Sequence, residues 1–189
     1  MMGDNIRDPK LGFIQPVKAS RDRTVLDAMV AVAGWAVLGN DTTTLAINDN
    51  NILGDKSLSF DKVDGAAGTV FAGIEKTINA VSLKEFLASD KLVSAFFAAA
   101  LTNVVNIFFR VGTDSSNYSV FKVLVASLTA NVWNPLALLF TDADVANQVG
   151  AGHDLDVITY IAVGVEFTLE TNALAGLHFD HLHIEAADN

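Results

Sequence analysis

Short apolar segments alternate with polar breaks along most of the chain, from Trp35 to Glu185. The breaks are rich in Gly, Asn, Asp and Ser and return at intervals of roughly 8–15 residues, which is typical of an antiparallel β-sandwich connected by turns. Strands are predicted at residues 42–47, 56–61, 70–74, 77–81, 91–98, 104–112, 118–125, 133–140, 156–169 and 177–185. The chain is therefore predicted to be an all-β protein.

Two of these segments carry a local prediction about how the strands are joined or bent. Residues 104–112 and 118–125 flank the turn sequence 114–117, and we expect them to pair as a hairpin because Asp and Asn favour tight connections. Residues 156–169 form a strand long enough to need a β-bulge, which is expected at Gly164.

The last apolar segment predicts how its side chains divide between the two faces of its sheet, because side chains alternate along a strand. One face is predicted to carry Leu177, Phe179 and His181. The opposite face is predicted to carry His178, Asp180, Leu182 and Ile184.

Two segments favour helical structure. Residues 24–37 are apolar and rich in Ala, and Thr24 with Asp27 three residues later forms a loose capping box, so a short helix is predicted there. Residues 82–101 are ambiguous between helix and strand. Ser82 with Glu85 predicts a helical turn at 83–88, which is followed by the predicted strand at 91–98.

The N-terminal region is predicted to be an arm that precedes the sandwich. Pro9, Gly12 and Pro16 interrupt regular structure, so residues 1–29 are assigned to an extended or helical arm and residues 30–189 to the sandwich. Five basic and four acidic residues lie in the arm, whereas seven basic and 18 acidic residues follow it. A nearly neutral arm on an acidic body is suited to docking on a neighbouring copy, and a flexible terminus is the alternative. Deleting residues 1–29 is then expected to leave a folded domain.

The composition is unusually apolar, with 51% apolar residues and a mean hydropathy of +0.36. No stretch reaches the roughly 18 uninterrupted apolar residues of a membrane span, and the N-terminus lacks the basic and apolar regions of a secretory signal. Two explanations remain for the surplus of apolar residues. Surface is buried against other chains, or the sandwich is well filled with Ala and Val.

Charge and missing motifs exclude several functions. Twenty-two acidic and 12 basic residues give a net charge of −10, which disfavours nucleic-acid binding. The chain has no cysteine, so thiol catalysis and Cys-ligated zinc are excluded. Ser115 and Ser116 lack the GxSxG nucleophile elbow, and no glycosidase carboxylate pair is recognisable. The protein is not expected to be an enzyme.

An ordered set of short sequences supports a resemblance to a known group of domains. The set consists of Gly34–Trp35, Leu58–Lys62, Val81–Leu83, Phe109–Tyr118, Trp133–Leu136, Ile158–Tyr160 and Gly176–Asp180. It resembles jelly-roll modules similar to carbohydrate-binding modules and galactose-binding-like domains, in particular those in structural proteins of tailed bacteriophages. The resemblance spans about residues 33–187 and implies an antiparallel jelly-roll β-sandwich.

The resemblance implies two functions, because one fold hosts many activities. The first is a non-enzymatic virion protein of a tailed phage, such as a capsid decoration, collar or tail-associated component. Such a protein would be assembled in the host cytoplasm, and its partners would be copies of itself and other virion proteins. The alternative is a carbohydrate-binding module that attaches to host or environmental glycans. Neither function involves nucleic acid or a membrane.

The resemblance also implies a structural calcium site. In carbohydrate-binding relatives, a carboxylate on the final strand commonly joins groups near the first strands around calcium. Asp180 matches that carboxylate by position, and Asp41 or Asp61 is the candidate for a second, with backbone carbonyls completing the oxygen ligands that calcium prefers. A hydrogen-bonded or exposed Asp180 is the alternative, and His181 stands where a second acidic residue often follows.

Aromatic and histidine residues supply two more candidate sites. Carbohydrate-binding jelly rolls use aromatic side chains with neighbouring amides, and Trp133, Asn134 and Tyr160 are the candidates for a glycan site; a Trp133 that closes the core is the alternative. His181 and His183, two residues apart on a strand, are expected to project to one side and suit zinc if a third ligand is supplied. Polar decoration of the strand is the alternative.

Overall fold

Two antiparallel sheets form a sandwich in a computed structural model that describes residues 23–64, 68–82, 89–143, 147–152 and 157–186. The strands are β1 (Arg23–Asp27), β2 (Trp35–Leu38), β3 (Thr42–Asn48), β4 (Ser57–Lys62), β5 (Phe71–Val81), β6 (Lys91–Phe97), β7 (Val104–Asp114), β8 (Asn117–Leu124), β9 (Asn134–Leu139), β10 (Ile158–Phe167) and β11 (Leu174–Glu185). Short 3₁₀ turns lie at Val125–Ser127 and Phe140–Asp142.

The six-stranded sheet has the order β3-β4-β11-β6-β9, and β1 adds to β11 beside β4. The five-stranded sheet has the order β2-β5-β10-β7-β8. This two-sheet antiparallel architecture confirms the all-β prediction. No helix of the described segments is long and apolar enough to cross a membrane.

The core lies between the two sheets and is centred on aromatic rings. The Phe179 ring of β11 lies 5.1 Å from that of Phe96 and 5.9 Å from those of Phe60 and Phe109 (centroid distances), so rings from both sheets meet. All four residues are at most 1% exposed. Each large aromatic ring buries about 150–250 Å², so this cluster is a major source of apolar stabilisation.

The predicted hairpin is confirmed as β7 and β8, which pair from Asn106 to Asp114. The turn is stabilised as the residue types predict, because Asp114 Oδ1 accepts a hydrogen bond of 2.7 Å from the Ser116 backbone N–H and one of 3.2 Å from Asn117 Nδ2. The two short strands predicted at 70–74 and 77–81 form one continuous strand, β5.

The helix predicted at 24–37 is wrong: this segment contains β1 and β2. Asp27 does not cap a helix. Its Oδ1 accepts the Met29 N–H at 2.7 Å and turns the chain, while its Oδ2 pairs with Lys76 Nζ of β5 at 2.6 Å. These contacts with a distant strand override the local helical preference.

The boundary between arm and sandwich, placed at residue 30, needs correction. β1 pairs with β11, and Leu26 and Met29 belong to the core with exposures of 7% and 0%. Residues 23–29 are therefore part of the sandwich. Residues 1–22 of the predicted arm and the helical turn predicted at 83–88 lie outside the described residues.

Gly164 is not the site of a β-bulge. The register of β10 shifts near its two ends, between Ile158 and Tyr160 on the β5 side and between Glu166 and Phe167 on the β7 side. At Gly164 a Cβ atom would lie 2.3 Å from the Phe108 ring. Glycine is required here because the Phe108 side chain packs directly on the backbone.

The face assignment predicted for β11 holds only for its first half. Leu177 and Phe179 share one face as predicted, and this face meets the core, but Leu182 and Ile184 also point into the core. The pairing with β6 shifts register between Asp180 and His183, and His181 adopts φ +48°. This bulge inserts an extra residue, so the side chains beyond it change faces.

Candidate functional site

The outer face of the five-stranded sheet carries a second, smaller side-chain cluster, separate from the core. Residues in register across β5, β10, β7 and β8 form three rows: Thr77–Tyr160–Gly112–Tyr118, Glu75–Ala162–Arg110–Val120 and Gly73–Gly164–Phe108–Lys122. Alternation along each strand places these side chains on the side away from the core. This surface is called the outer face below.

Aromatic rings form the floor of the outer face. Tyr118 and Tyr160 lie with ring centroids 5.8 Å apart, and Phe108 lies edge-on to Phe71 at 6.0 Å. Tyr118, Tyr160 and Phe108 are only 8%, 4% and 1% exposed. The rings are therefore a packed base, and the groups presented to solvent are mainly the polar side chains above them.

Arg110 lies at the centre of the outer face and stacks on three of these rings. Its guanidinium carbon is 4.9 Å from the Phe108 and Tyr118 ring centroids and 5.4 Å from that of Phe71. The quadrupoles of the rings attract the cation. Among the described residues no carboxylate forms a salt bridge with Arg110, and its buried Nε has no hydrogen-bond partner.

Carboxylates flank Arg110, and each already has a partner. Glu75 Oε2 accepts a hydrogen bond of 2.7 Å from the Tyr160 hydroxyl. Burial and then this carboxylate raise the pKa of Tyr160, which keeps the phenol protonated as a donor. Glu166 accepts a hydrogen bond of 2.8 Å from Asn106 and pairs with Lys122 at 3.0 Å.

Two open depressions lie on the outer face. One, of about 310 Å³, is lined by Glu75, Tyr160 and the hairpin turn residues Thr113 to Ser115. The other, of about 210 Å³, is lined by Arg110, Tyr118, Lys122 and Glu166, among others. The chemistry of the surface is that of a polar ligand site, because hydrogen-bond donors and acceptors surround both depressions.

The residues predicted as a glycan site are not brought together. Tyr160 lies on the outer face, whereas Trp133 and Asn134 lie at the start of β9 in the other sheet. Trp133 donates its indole N–H to Asn50 Oδ1 at 3.0 Å and packs on Phe97, with ring centroids 5.7 Å apart. It is partly exposed and borders a groove of about 440 Å³ along the edge of β9.

Asn134 has a structural role in the loop before β9. Its Oδ1 accepts the Thr129 N–H at 2.8 Å, and its Nδ2 donates to the carbonyls of Thr129 and Val132 at 2.9 and 3.0 Å. These bonds use most of the capacity of the amide, so little remains for a sugar hydroxyl.

The three carboxylates predicted to bind calcium occupy three separate settings. Asp41 Oδ2 pairs with Lys62 Nζ at 2.7 Å, Asp61 Oδ1 accepts the Gly176 N–H at 2.7 Å, and Asp180 Oδ2 accepts backbone N–H groups from 52–54. Within the described segments no three His, Cys, Asp or Glu residues are placed to hold a metal ion. Calcium binding through one of these carboxylates and backbone carbonyls stays a prediction.

Three histidines lie on the outward side of β11. The His181 and His183 rings are 5.0 Å apart, so the predicted proximity of this pair is correct, but the third zinc ligand is absent among the described residues. Arg23 of β1 instead donates to His181 Nε2 at 2.9 Å. His178 packs edge-on to Phe97, with ring centroids 5.5 Å apart.

The β11 histidines predict a loss of stability in mild acid. Burial, followed by the charge of Arg23, lowers the pKa of His183 from 6.5 to about 4, and burial also lowers the pKa of His178 and His181. As the pH falls below 6.5, these histidines are therefore protonated in the unfolded chain before they are protonated in the folded protein. The stability that comes from keeping them neutral is complete above pH 6.5 and is lost as the pH falls towards 4. We expect His183 to account for about 1–2 kcal/mol between pH 7 and pH 5.

Urea unfolding at several pH values checks this expectation. His183→Gln should flatten the dependence of the unfolding free energy on pH between 7 and 5, and His153→Gln is a matched histidine control outside β11. An equally steep dependence in His183→Gln would show that this histidine is not the source.

The comparisons with known proteins concern the fold. No family model matches the sequence, and no characterised protein matches it in a sequence comparison. The family 11 carbohydrate-binding module of the cellulosomal cellulase Lic26A-Cel5E of Clostridium thermocellum is similar in structure, with a TM-score of 0.61 and 12% identity. The match covers 87% of this chain and 95% of that module.

Two further solved structures share the fold. A family 28 module specific for non-crystalline cellulose matches with a TM-score of 0.54 and 12% identity, over 86% of this chain and 94% of that one. An exo-β-agarase matches with a TM-score of 0.58 and 8% identity, over 89% of this chain and 25% of the agarase. The chain thus has the jelly-roll fold of carbohydrate-binding modules, and identities this low show the fold alone.

Sequence reasoning missed Arg110, Phe108, Glu75 and Glu166 as a group. A signal was present in β7, where Ile107, Phe109 and Val111 face the core, so that Phe108 and Arg110 must face outward. An Arg and a Phe that both point outward from a central strand indicate a surface built from several strands, because the strands on either side flank these two large side chains.

Proposed function

We propose that this chain is a carbohydrate-binding module and that its outer face binds the glycan. The observation that carries the proposal is the arrangement of Arg110, Glu75, Tyr160, Glu166 and Lys122 around two open depressions over a packed aromatic floor. The likeness to carbohydrate-binding modules along nearly the whole fold supports it.

The polar groups of the outer face match the chemistry of sugar hydroxyls. Each hydroxyl donates one hydrogen bond and accepts others, and a guanidinium or carboxylate forms charge-assisted bonds with such groups that are shorter and stronger than neutral ones. A rigid sheet holds these side chains in place before the ligand arrives, which limits the ordering cost of binding. Recognition here depends mainly on hydrogen bonds, since Tyr118 and Tyr160 are largely buried.

The virion role predicted from the sequence has no support among the comparisons. The structural neighbours support the alternative of glycan recognition. One of them is a family 11 module from Clostridium thermocellum in complex with a β-1,3-1,4-mixed-linked tetrasaccharide. No catalytic step is proposed, because the carboxylates of the outer face are held by Tyr160, Asn106 and Lys122.

Affinity electrophoresis against a panel of soluble plant, algal and bacterial polysaccharides tests the proposal. We expect at least one polysaccharide to retard the protein. We expect Glu75→Gln and Tyr160→Phe each to weaken that binding about 5–10-fold, the first because a neutral amide replaces a charged acceptor and the second because a hydroxyl is removed. Isothermal titration with the retarding glycan gives the dissociation constants.

Two variants away from the outer face complete this experiment. Glu185→Gln is a matched carboxylate control on the other sheet, and it should bind as the unmodified protein does. Trp133→Ala tests the groove beside β9. Loss of binding in Trp133→Ala with full binding in Glu75→Gln would place the site in that groove and contradict the outer face. Near-ultraviolet dichroism confirms that each variant is folded.

A further inference from the structure

We propose that the glycan recognised by the outer face is anionic and that Arg110 binds its carboxylate or sulfate ester group. This inference rests on the proposed function and specifies its ligand class. It follows from the charge of Arg110, which forms no salt bridge with a carboxylate of the described segments, and from the depression beside it.

Arg110 differs from the three buried or partly buried lysines of the sandwich. Lys62, Lys76 and Lys122 each form a salt bridge, with Asp41, Asp27 and Glu166 respectively. Arg110 contacts aromatic rings instead, and its Nε is buried without a partner. The rings offset part of the cost of holding a guanidinium away from water. The polar side-chain partner of Arg110 is the neutral hydroxyl of Tyr160, which supplies no counter-charge.

The depression next to Arg110 favours a negatively charged group. Two cations line it, Arg110 and Lys122, and the carboxylate in its lining is Glu166, which Asn106 and Lys122 hold at 2.8 and 3.0 Å. Among the described residues of this lining, two cations thus accompany one carboxylate, on a chain whose net charge is −10. A planar guanidinium can bind a carboxylate or sulfate through two parallel hydrogen bonds.

The neighbouring depression favours the uncharged part of the same ligand. Its lining includes Glu75, Tyr160 and the residues 113–115 of the β7–β8 turn, together with Lys76, whose charge is paired with Asp27. Carboxylates there repel a second anion and accept bonds from hydroxyls. The two depressions together thus predict a sugar chain with its anionic group over Arg110 and its hydroxyls towards Glu75.

A purely structural role for Arg110 is the competing explanation. In that case the guanidinium serves to cover the rings of Phe108 and Tyr118. Its replacement would then lower stability and leave the ratio of affinities for acidic and neutral glycans unchanged.

Matched pairs of polysaccharides distinguish these explanations. The probes are polygalacturonate against its full methyl ester, and κ-carrageenan against the same polysaccharide after chemical desulfation, so that the two pairs separate a carboxylate from a sulfate ester. We expect the acidic member of at least one pair to bind at least about tenfold more tightly. Raising NaCl from about 0.02 to about 0.5 M should weaken the binding of the acidic member only.

Two Arg110 variants test the residue itself. Arg110→Gln should reduce the preference for the acidic member at least about tenfold, and Arg110→Lys should keep only part of it, because it keeps the charge but loses the planar fork that forms two parallel hydrogen bonds. Lys91→Gln removes an exposed cation from the other sheet and should change nothing. If Arg110→Gln fails to fold, the salt dependence and the matched pairs measured on the unmodified protein still decide whether the ligand is anionic, and Arg110→Lys tests the residue.

Each other outcome overturns the inference in a distinguishable way. Equal binding of acidic and neutral members, or a preference that survives in Arg110→Gln, contradicts the anionic ligand and leaves the proposed glycan-binding function standing. No binding to any polysaccharide contradicts both.

Discussion

Replacing Lys62 with methionine is expected to lower the free energy of unfolding by about 3–5 kcal/mol. Lys62 and Asp41 form an ion pair at 2.7 Å with side chains 0% and 1% exposed, and Lys62 Nζ also donates to the carbonyls of Val63 and Glu170 at 3.0 and 2.7 Å. Methionine would leave the Asp41 carboxylate buried without its counter-ion, and that uncompensated charge is the main cost. Urea unfolding at neutral pH measures the effect.

The exposed pair Lys56–Asp49 provides the matched control. Asp49 is 86% exposed, so Lys56→Met should cost less than about 1 kcal/mol. An equally small loss of unfolding free energy in Lys62→Met would contradict this expectation, because it would show that water or a rearrangement compensates the buried Asp41 charge. Lys62 also holds the pKa of Asp41 below its ordinary value, and this part of the stability is present above pH 3.8 and is lost as the pH falls further.

Replacing Asp180 with alanine is expected to cost about 3 kcal/mol and to release the loop that precedes β4. Asp180 is 0% exposed, and its Oδ2 accepts the backbone N–H groups of Ile52, Leu53 and Gly54 at 2.7, 2.5 and 3.3 Å. A hydrogen bond to a charged acceptor contributes about 1.5–3 kcal/mol. The expected total stays below the sum of three such bonds because Ile52 and Leu53 are 50% and 36% exposed, so water can reach this loop once the carboxylate is removed.

Hydrogen exchange and urea unfolding together test this expectation. In Asp180→Ala the amides of residues 52–54 should exchange much faster, while those of β7 and β10 should change only as far as global stability falls. Asp61→Ala is the matched control, because the described contacts of that carboxylate include a single backbone N–H, from Gly176. Unchanged exchange at 52–54 would contradict the anchoring role of Asp180.

The fold was predictable where local preference and tertiary structure agree. In β7 and β8 two largely apolar segments are joined by a turn of Asp and Asn residues, and the hairpin that this pattern predicts is the one observed. They disagree at Thr24 to Val37, where the Asp27 side chain turns the chain and pairs with Lys76 of a distant strand. The face change at His181 was also hidden, because a bulge is set by the pairing partner as well as by the strand.

The candidate site was less predictable than the fold, for a topological reason. Alternation shows that Arg110 and Phe108 share a face of β7, but it does not show that β10 brings Tyr160 beside them while β9 holds Trp133 in the other sheet. Strand order depends on long-range pairing, which a single sequence does not display. For the same reason, the sequence did not show that Asp41, Asp61 and Asp180 lie in separate settings.

The edge of β11 opposite β6 is divided between two partners, with β4 along its first half and β1 along its second. A chain that begins at residue 30 would lose Leu26 and Met29 from the interior, and it would expose the N–H and C=O groups of the last four residues of β11. An unpaired edge of this kind is a template for aggregation or for strand exchange between copies. Shortened forms of this protein should therefore begin no later than Arg23 if they are to remain monodisperse.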